Sequence, residues 1–258
     1  MMAESSQCDH PLKYQSFKRP IIQLLCCLSS LGFVAGCSTL PLFQPPQSAN
    51  PSNWNQSYQS RLEVLALMQS LNANILGSAS ATLSLQQWCA DHHMAAEPKI
   101  SARLIPGAVN PPDAEQLQRL QVTSPGELKY RLVQLSCGEH ILSVAENWYV
   151  PTRLTADMNH QLDNTDTPFG KAVQPLSPFR RTFAVRLLWS PLPQGWELAT
   201  SSAALTLGGV RQPLTIPAEL FSHRAILYSK DNLPIAEVSE RYQGAVLNFK
   251  RPATASLP

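Results

Sequence analysis

Charge is scarce in this chain. Only 15% of its 258 residues are Asp, Glu, Lys or Arg, and the formal net charge is +2. It has no basic run, so it lacks the electrostatic footprint of a nucleic-acid binder, and no nucleic-acid partner is expected. Histidine numbers six, and the adjacent pair His92 and His93 has no third ligand at a useful spacing. Neighbouring residues on a helix point to different sides, and zinc needs several converging ligands. No metal and no cofactor are expected. No apolar run reaches the roughly 20 residues that a membrane-spanning helix requires. The 44% hydrophobic content nevertheless argues for a packed body and against disorder. Proline is in excess, with 22 residues, which implies long irregular connections between short elements.

The apolar stretch Ile21–Ala35 follows Lys13, Lys18 and Arg19. A basic flank before a short apolar core is the pattern of an export signal. The core ends at Val34-Ala35-Gly36-Cys37, which resembles the lipobox of bacterial lipoproteins. That resemblance implies cleavage after Gly36, diacylation of the Cys37 thiol and membrane contact through the lipid. Ser38 in the next position implies outer-membrane sorting, with the body facing the periplasm. Residues 1–36 are therefore read as a signal and 37–60, rich in Pro, Asn, Gln and Ser, as a flexible tether. The folded domain is expected over 61–245, with a tail over 246–258. Without residues 1–36 the chain keeps 17 basic and 16 acidic residues, a net of +1.

Cys8, Cys26 and Cys27 leave with the signal and Cys37 takes the lipid. Only Cys89 and Cys137 then remain. In an oxidising compartment such a pair can form a disulfide. Two separate buried thiols are the alternative. Spacing leaves both open, because a bridge needs Cα atoms within about 7 Å.

Helical spacing predicts a helix over Arg61–Ile75 and a second within Ser78–His93, starting near Thr82 or Ser84. Thr155 is a good N-cap for Ala156–Leu162, and Pro168 suits the first turn of another helix. Strands are expected at Lys99–Ile105, Leu128–Leu135, Ile141–Val150, Phe179–Trp189, Phe221–Ser229 and Leu233–Tyr242. Arg131 shares a strand face with Val133 and Leu135. A guanidinium among aliphatics needs an anion or carbonyls, unless it sits at an edge and snorkels to water. Both remain open. Glu240 shares its face with Ala236, Val238 and Tyr242, whereas Glu237 falls with the polar set. A carboxylate on the apolar face needs a raised pKa or a specific donor. A one-residue slip would exchange the two glutamates. Arg180, Arg181 and Arg186 are read as solvated, and Ser190–Glu219 as a long connection without a readable element.

Several of these features occur in one order: Lys129-Tyr130-Arg131, the turn at Cys137-Gly138, Val150-Pro151, Thr167-Pro168-Phe169-Gly170 and Glu240. That order resembles the chorismate pyruvate-lyase family and its sister, the effector-binding domains of GntR-type regulators, over roughly residues 65–245. The resemblance implies an α+β fold, a six-stranded antiparallel sheet with helices enclosing an internal pocket. It implies that Arg131 grips a ligand carboxylate and that Phe169, with Gly170 beside it, offers a backbone N–H. It also implies that Glu240 meets the opposite end of the ligand. Two functions fit. One is a lipid-anchored domain binding a small carboxylated, aromatic molecule, which the export signal favours. The other is a carbon–oxygen lyase eliminating pyruvate from chorismate or a related enol ether, with Arg131 and Glu240 catalytic.

Overall fold

The computed structural model describes residues 53–200 and 212–251, all within the compact unit Gln44–Pro258. The signal over 1–36, Cys37, most of the tether and the end of the tail lie outside the described residues. In chain order the regular elements are α1 (Tyr58–Leu76), α2 (Ala81–Asp91), β1 (Ile100–Leu104), α3 (Ala114–Leu120), β2 (Lys129–Cys137) and β3 (His140–Tyr149). They continue with α4 (Ala156–Asn164), α5 (Phe169–Ala172), β4 (Phe179–Leu187), β5 (Glu219–Tyr228) and β6 (Pro234–Gln243). The fold is α+β. Its six strands form one antiparallel sheet in the order β1-β2-β3-β6-β5-β4.

Local chemistry sets the element ends. Ser57 caps α1, its side chain accepting from the Ser60 N–H, and Val64, Met68, Leu71 and Ile75 form the buried stripe. Each such side chain contributes about 1.5–3 kcal/mol by leaving water. Ser80 caps α2, so this helix starts before Thr82 or Ser84; the capping hydroxyl outweighs the apolar period as a start signal. Thr155 caps α4 by accepting from the Met158 N–H. The tight β2–β3 hairpin turns at Gly138, whose φ of +54° only glycine adopts without strain.

The sheet has two unlike faces. Paired residues across the ladder point the same way, so one row reads Arg131, Asn147, Val238, Ala225 and Thr182, and the next reads Val133, Ala145, Glu240 and His223. Helices α1 and α2 cover part of this inner face, with Leu135, Leu142, Phe221 and Tyr242 in the core beneath them. Helices α4 and α5 cover the rest, over Tyr149, Ala236, Val238 and Leu227. On the outer face α3 packs Leu120 against Trp148 and Val150. Cys89 of α2 is bonded to Cys137 at the end of β2, with their Cα atoms 6.3 Å apart.

The folded body is wider than 61–245. Trp54, expected in the tether, is buried, and its indole N–H donates to Leu247 O at 3.0 Å. Val246 and Leu247, expected in the tail, are buried too. Tryptophan burial from one end and an apolar pair from the other close the same core. Within Ser190–Glu219, Leu192, Leu214 and Ile216 also reach the interior. No helix among the described residues is long and apolar enough to cross a membrane.

Candidate functional site

A partly open chamber of about 30 Å³ lies between the inner sheet face and the starts of α2 and α5. Its floor is Val133, Leu135, Ala145, Asn147, Val238 and Glu240. Its roof is Ser80, Ala81 and Thr82 of the first α2 turn, together with Phe169 and Gly170. Gly170 packs closely: a Cβ there would lie 2.9 Å from Ser80 Oγ and 3.3 Å from Thr82 Oγ1, so those side chains would have to shift. The Thr-Pro-Phe-Gly stretch thus brings α5 directly onto α2. The volume holds about one or two waters.

Arg131 stands at the margin of the chamber, cross-strand from Asn147. It is only 4% exposed, and its Nε, Nη1 and Nη2 have no hydrogen-bond partner in the protein. Asn147 Nδ2 beside it is equally unpartnered. Burial pulls the Arg131 pKa below the ordinary arginine value, against weaker attraction from Tyr149 and Asp163. Asp163 is itself engaged by Lys129 Nζ at 2.7 Å and by the Tyr149 hydroxyl at 3.3 Å. Burial, with the Asp163 charge second, pushes Tyr149 up to about 12.

Glu240 lines the chamber from β6. It accepts from the Tyr242 hydroxyl at 3.0 Å, and Arg180 Nη2 lies 2.6 Å from its Oε2 in a charge contact. Arg180 corrects the expectation of a solvated side chain: it is 3% exposed and faces the chamber. A β-bulge at Thr182/Ala184 breaks the alternation of β4. Phe179 therefore turns to the outer face, while Arg180 and Thr182 turn inward. Arg181 stays outside, stacked over Phe179 and Tyr228. Burial lowers the Arg180 pKa, but Glu240 and Tyr242 together outweigh it, and the net direction is upward. His223, cross-strand from Glu240, is fully buried, with Nε2 2.7 Å from Asn72 Oδ1 and Nδ1 unpartnered. Burial, then the Arg180 charge, depresses its pKa to about 4.

Glu237 is on the other side of the sheet. It is fully buried and held by Arg119 at 2.8 Å, Arg224 at 2.6 Å and Gln116 at 3.3 Å. Of the two glutamates only Glu240 borders the chamber. Arg131, Phe169, Gly170 and Glu240 all lie on the chamber's side of the sheet, with Arg131 just beyond the lining. Asn147, Arg180 and His223 escaped sequence reasoning as site residues, and Tyr242 was placed on the Glu240 face without a role in the site. For Asn147 and Tyr242 the signal was there, since both alternate in phase with apolar inner-face residues. No group of three or more His, Cys, Asp or Glu among the described residues is placed to hold a metal.

No protein-family model matches the chain. Among solved structures it resembles PhnF from Mycobacterium smegmatis, at 15% identity and a TM-score of 0.42, over 70% of this chain and 71% of that one. It also resembles the ligand-binding domain of a protein named as a GntR-family transcriptional regulator from Bordetella bronchiseptica. There the identity is 17% and the TM-score 0.35, over 57% of this chain and 87% of that one. In sequence, it is 42% identical over 205 residues to the uncharacterized protein y4mC of Sinorhizobium fredii (strain NBRC 101917 / NGR234), which covers 79% of this chain and 85% of that one. With two residues in five shared over 79% of its length, the chain belongs to the family of y4mC.

Proposed function

We propose that this protein binds a small carboxylated molecule in its inner chamber and is held in the cell envelope by a lipid on Cys37. One observation carries the first part: the Arg131 guanidinium is buried with none of its nitrogens partnered. An unpaired buried charge is costly, and a carboxylate satisfies a guanidinium bidentately. Asn147 Nδ2 supplies a further donor. Arg131 and Arg180 against Glu240 leave one positive charge, which matches a monoanion. At about 30 Å³ the chamber takes the carboxylate group, and an aromatic ring attached to it lies beyond, at the partly open rim under α5 and the first turn of α2. The disulfide supports export, since such bonds persist in oxidising compartments; the lipobox-like Val34-Ala35-Gly36-Cys37 supports anchoring.

A lyase is the second reading, favoured by Arg131 and Glu240 on one sheet face. It is the weaker one, because Glu240 is occupied as an acceptor by Tyr242 and Arg180 and so is poorly placed to protonate a departing oxygen. Calorimetry on the full chain in detergent separates the two. Benzoate and 4-hydroxybenzoate should bind, 4-hydroxybenzamide should not, and Arg131→Ala should lose at least tenfold in affinity. Equal binding by Arg131→Ala, or no binding by any carboxylate, refutes the binding reading. Pyruvate released from chorismate establishes the lyase. Cys37→Ser should move the protein from membrane to soluble fractions; retention on the membrane refutes the anchor.

A further inference from the structure

Helix α2 is secured unequally along its length. Its last turns are fixed three ways: Cys89 is bonded to Cys137, Trp88 Nε1 donates to Val246 O at 2.9 Å, and Leu85 is fully buried. Its first turn forms the chamber roof, with Ala81 and Thr82 buried, and meets α5 at the narrow fit of Gly170, but no covalent bond holds it. From Thr82 to Cys89 is about 10 Å of helix. From the floor residue Leu135 to Cys137 is about 7 Å of strand. The disulfide therefore joins roof and floor at the closed end of a wedge whose other end is the chamber.

We infer that the Cys89–Cys137 disulfide is a redox-linked pivot that keeps the chamber roof at closing distance, so that its reduction weakens ligand binding. This rests on the chamber being the binding site. Both cysteines are fully buried, so a dithiol reductant reaches them when α2 lifts. The reductant then gives two electrons and two protons. The S–S bond breaks, Cys89 and Cys137 each become a thiol, and the reductant becomes a disulfide. Linkage is reciprocal: a ligand that binds the oxidised form more tightly shifts the thiol–disulfide equilibrium towards the disulfide by the same factor.

Hydrogen exchange on the full chain, without ligand, tests the pivot directly. Reduction with dithiothreitol should speed exchange about tenfold across residues 80–91 and 169–173, with β3 and β6 unchanged. Unchanged exchange over 80–91, or an equal rise in β3 and β6, overturns the inference. The double variant Cys89→Ala, Cys137→Ala should show the same pattern, and if it does not fold the reduced native chain carries the comparison. Titration with 4-hydroxybenzoate should then show Kd rising about tenfold on reduction, the loss expected if the closed roof falls to about a tenth of the population. Equal Kd in the two forms also overturns the pivot. Failure of the oxidised protein to bind refutes the binding site itself, and the exchange pattern alone then decides the pivot.

Discussion

Replacing Arg131 with methionine should stabilise the ligand-free protein. The substitution removes a guanidinium whose Nε, Nη1 and Nη2 all lack partners in the fold. A buried donor left unsatisfied costs about 1–3 kcal/mol, and more when charged. Exchanging buried ions for apolar residues of similar volume gains about 1–4 kcal/mol in measured cases. Attraction from the Asp163 carboxylate offsets part of this cost, so a gain of about 2 kcal/mol is expected. For an ordered body near 200 residues, that is a Tm rise of about 4–8 °C. The assay is thermal and urea unfolding in a carboxylate-free buffer, repeated with saturating 4-hydroxybenzoate. Ligand at a hundred times the native Kd adds about 2.7 kcal/mol to the native protein and, at tenfold weaker affinity, about 1.4 kcal/mol to the variant, so the gap should narrow from about 2 to about 0.7 kcal/mol, and further if the affinity loss is larger. A variant less stable than the native chain by 1 kcal/mol or more without ligand would show that Arg131 is already satisfied, and the binding argument would fail.

Two further outcomes follow from the same geometry. His223 is neutral in the fold, with its pKa depressed to about 4, whereas the unfolded chain protonates near 6.5. The unfolded state therefore binds the extra proton first, and stability falls as pH drops from about 6.5 towards 4, by about 3 kcal/mol at pH 4. Urea titrations of native protein and His223→Gln should differ by that slope; parallel pH profiles would rule it out. Glu237→Gln should cost about 2 kcal/mol, discounted from a fully buried pair because Arg119 and Arg224 are partly exposed. It should leave ligand affinity within twofold. An affinity change larger than twofold would mean the two faces are misassigned.

The sheet was legible because period-two alternation is a local signal. Arg131 with Val133 and Leu135, and Glu240 with Val238 and Tyr242, fall on one face by counting alone, and the ladder keeps them there. Arg180 was hidden by a bulge, which shifts phase without changing composition. Trp54 and His223 were hidden by distance: their partners Leu247 and Asn72 lie 193 and 151 residues away. The bond between Cys89 and Cys137 depends on how α2 crosses the sheet, which no spacing of 48 residues encodes. Chamber size was equally unreadable, being set by the fit of Gly170 against Ser80 and Thr82.

Glu237 and Glu240 are an odd number of positions apart on β6, and that parity has a cost for change. Inserting or deleting one residue between them would swing one carboxylate through the sheet, stranding Arg119 and Arg224 or emptying the place opposite Arg180. Point substitutions can retune either acid independently. Length variation between them is absorbed only where a bulge restores the phase, so relatives of this chain should vary in loops and termini more readily than in this tetrapeptide.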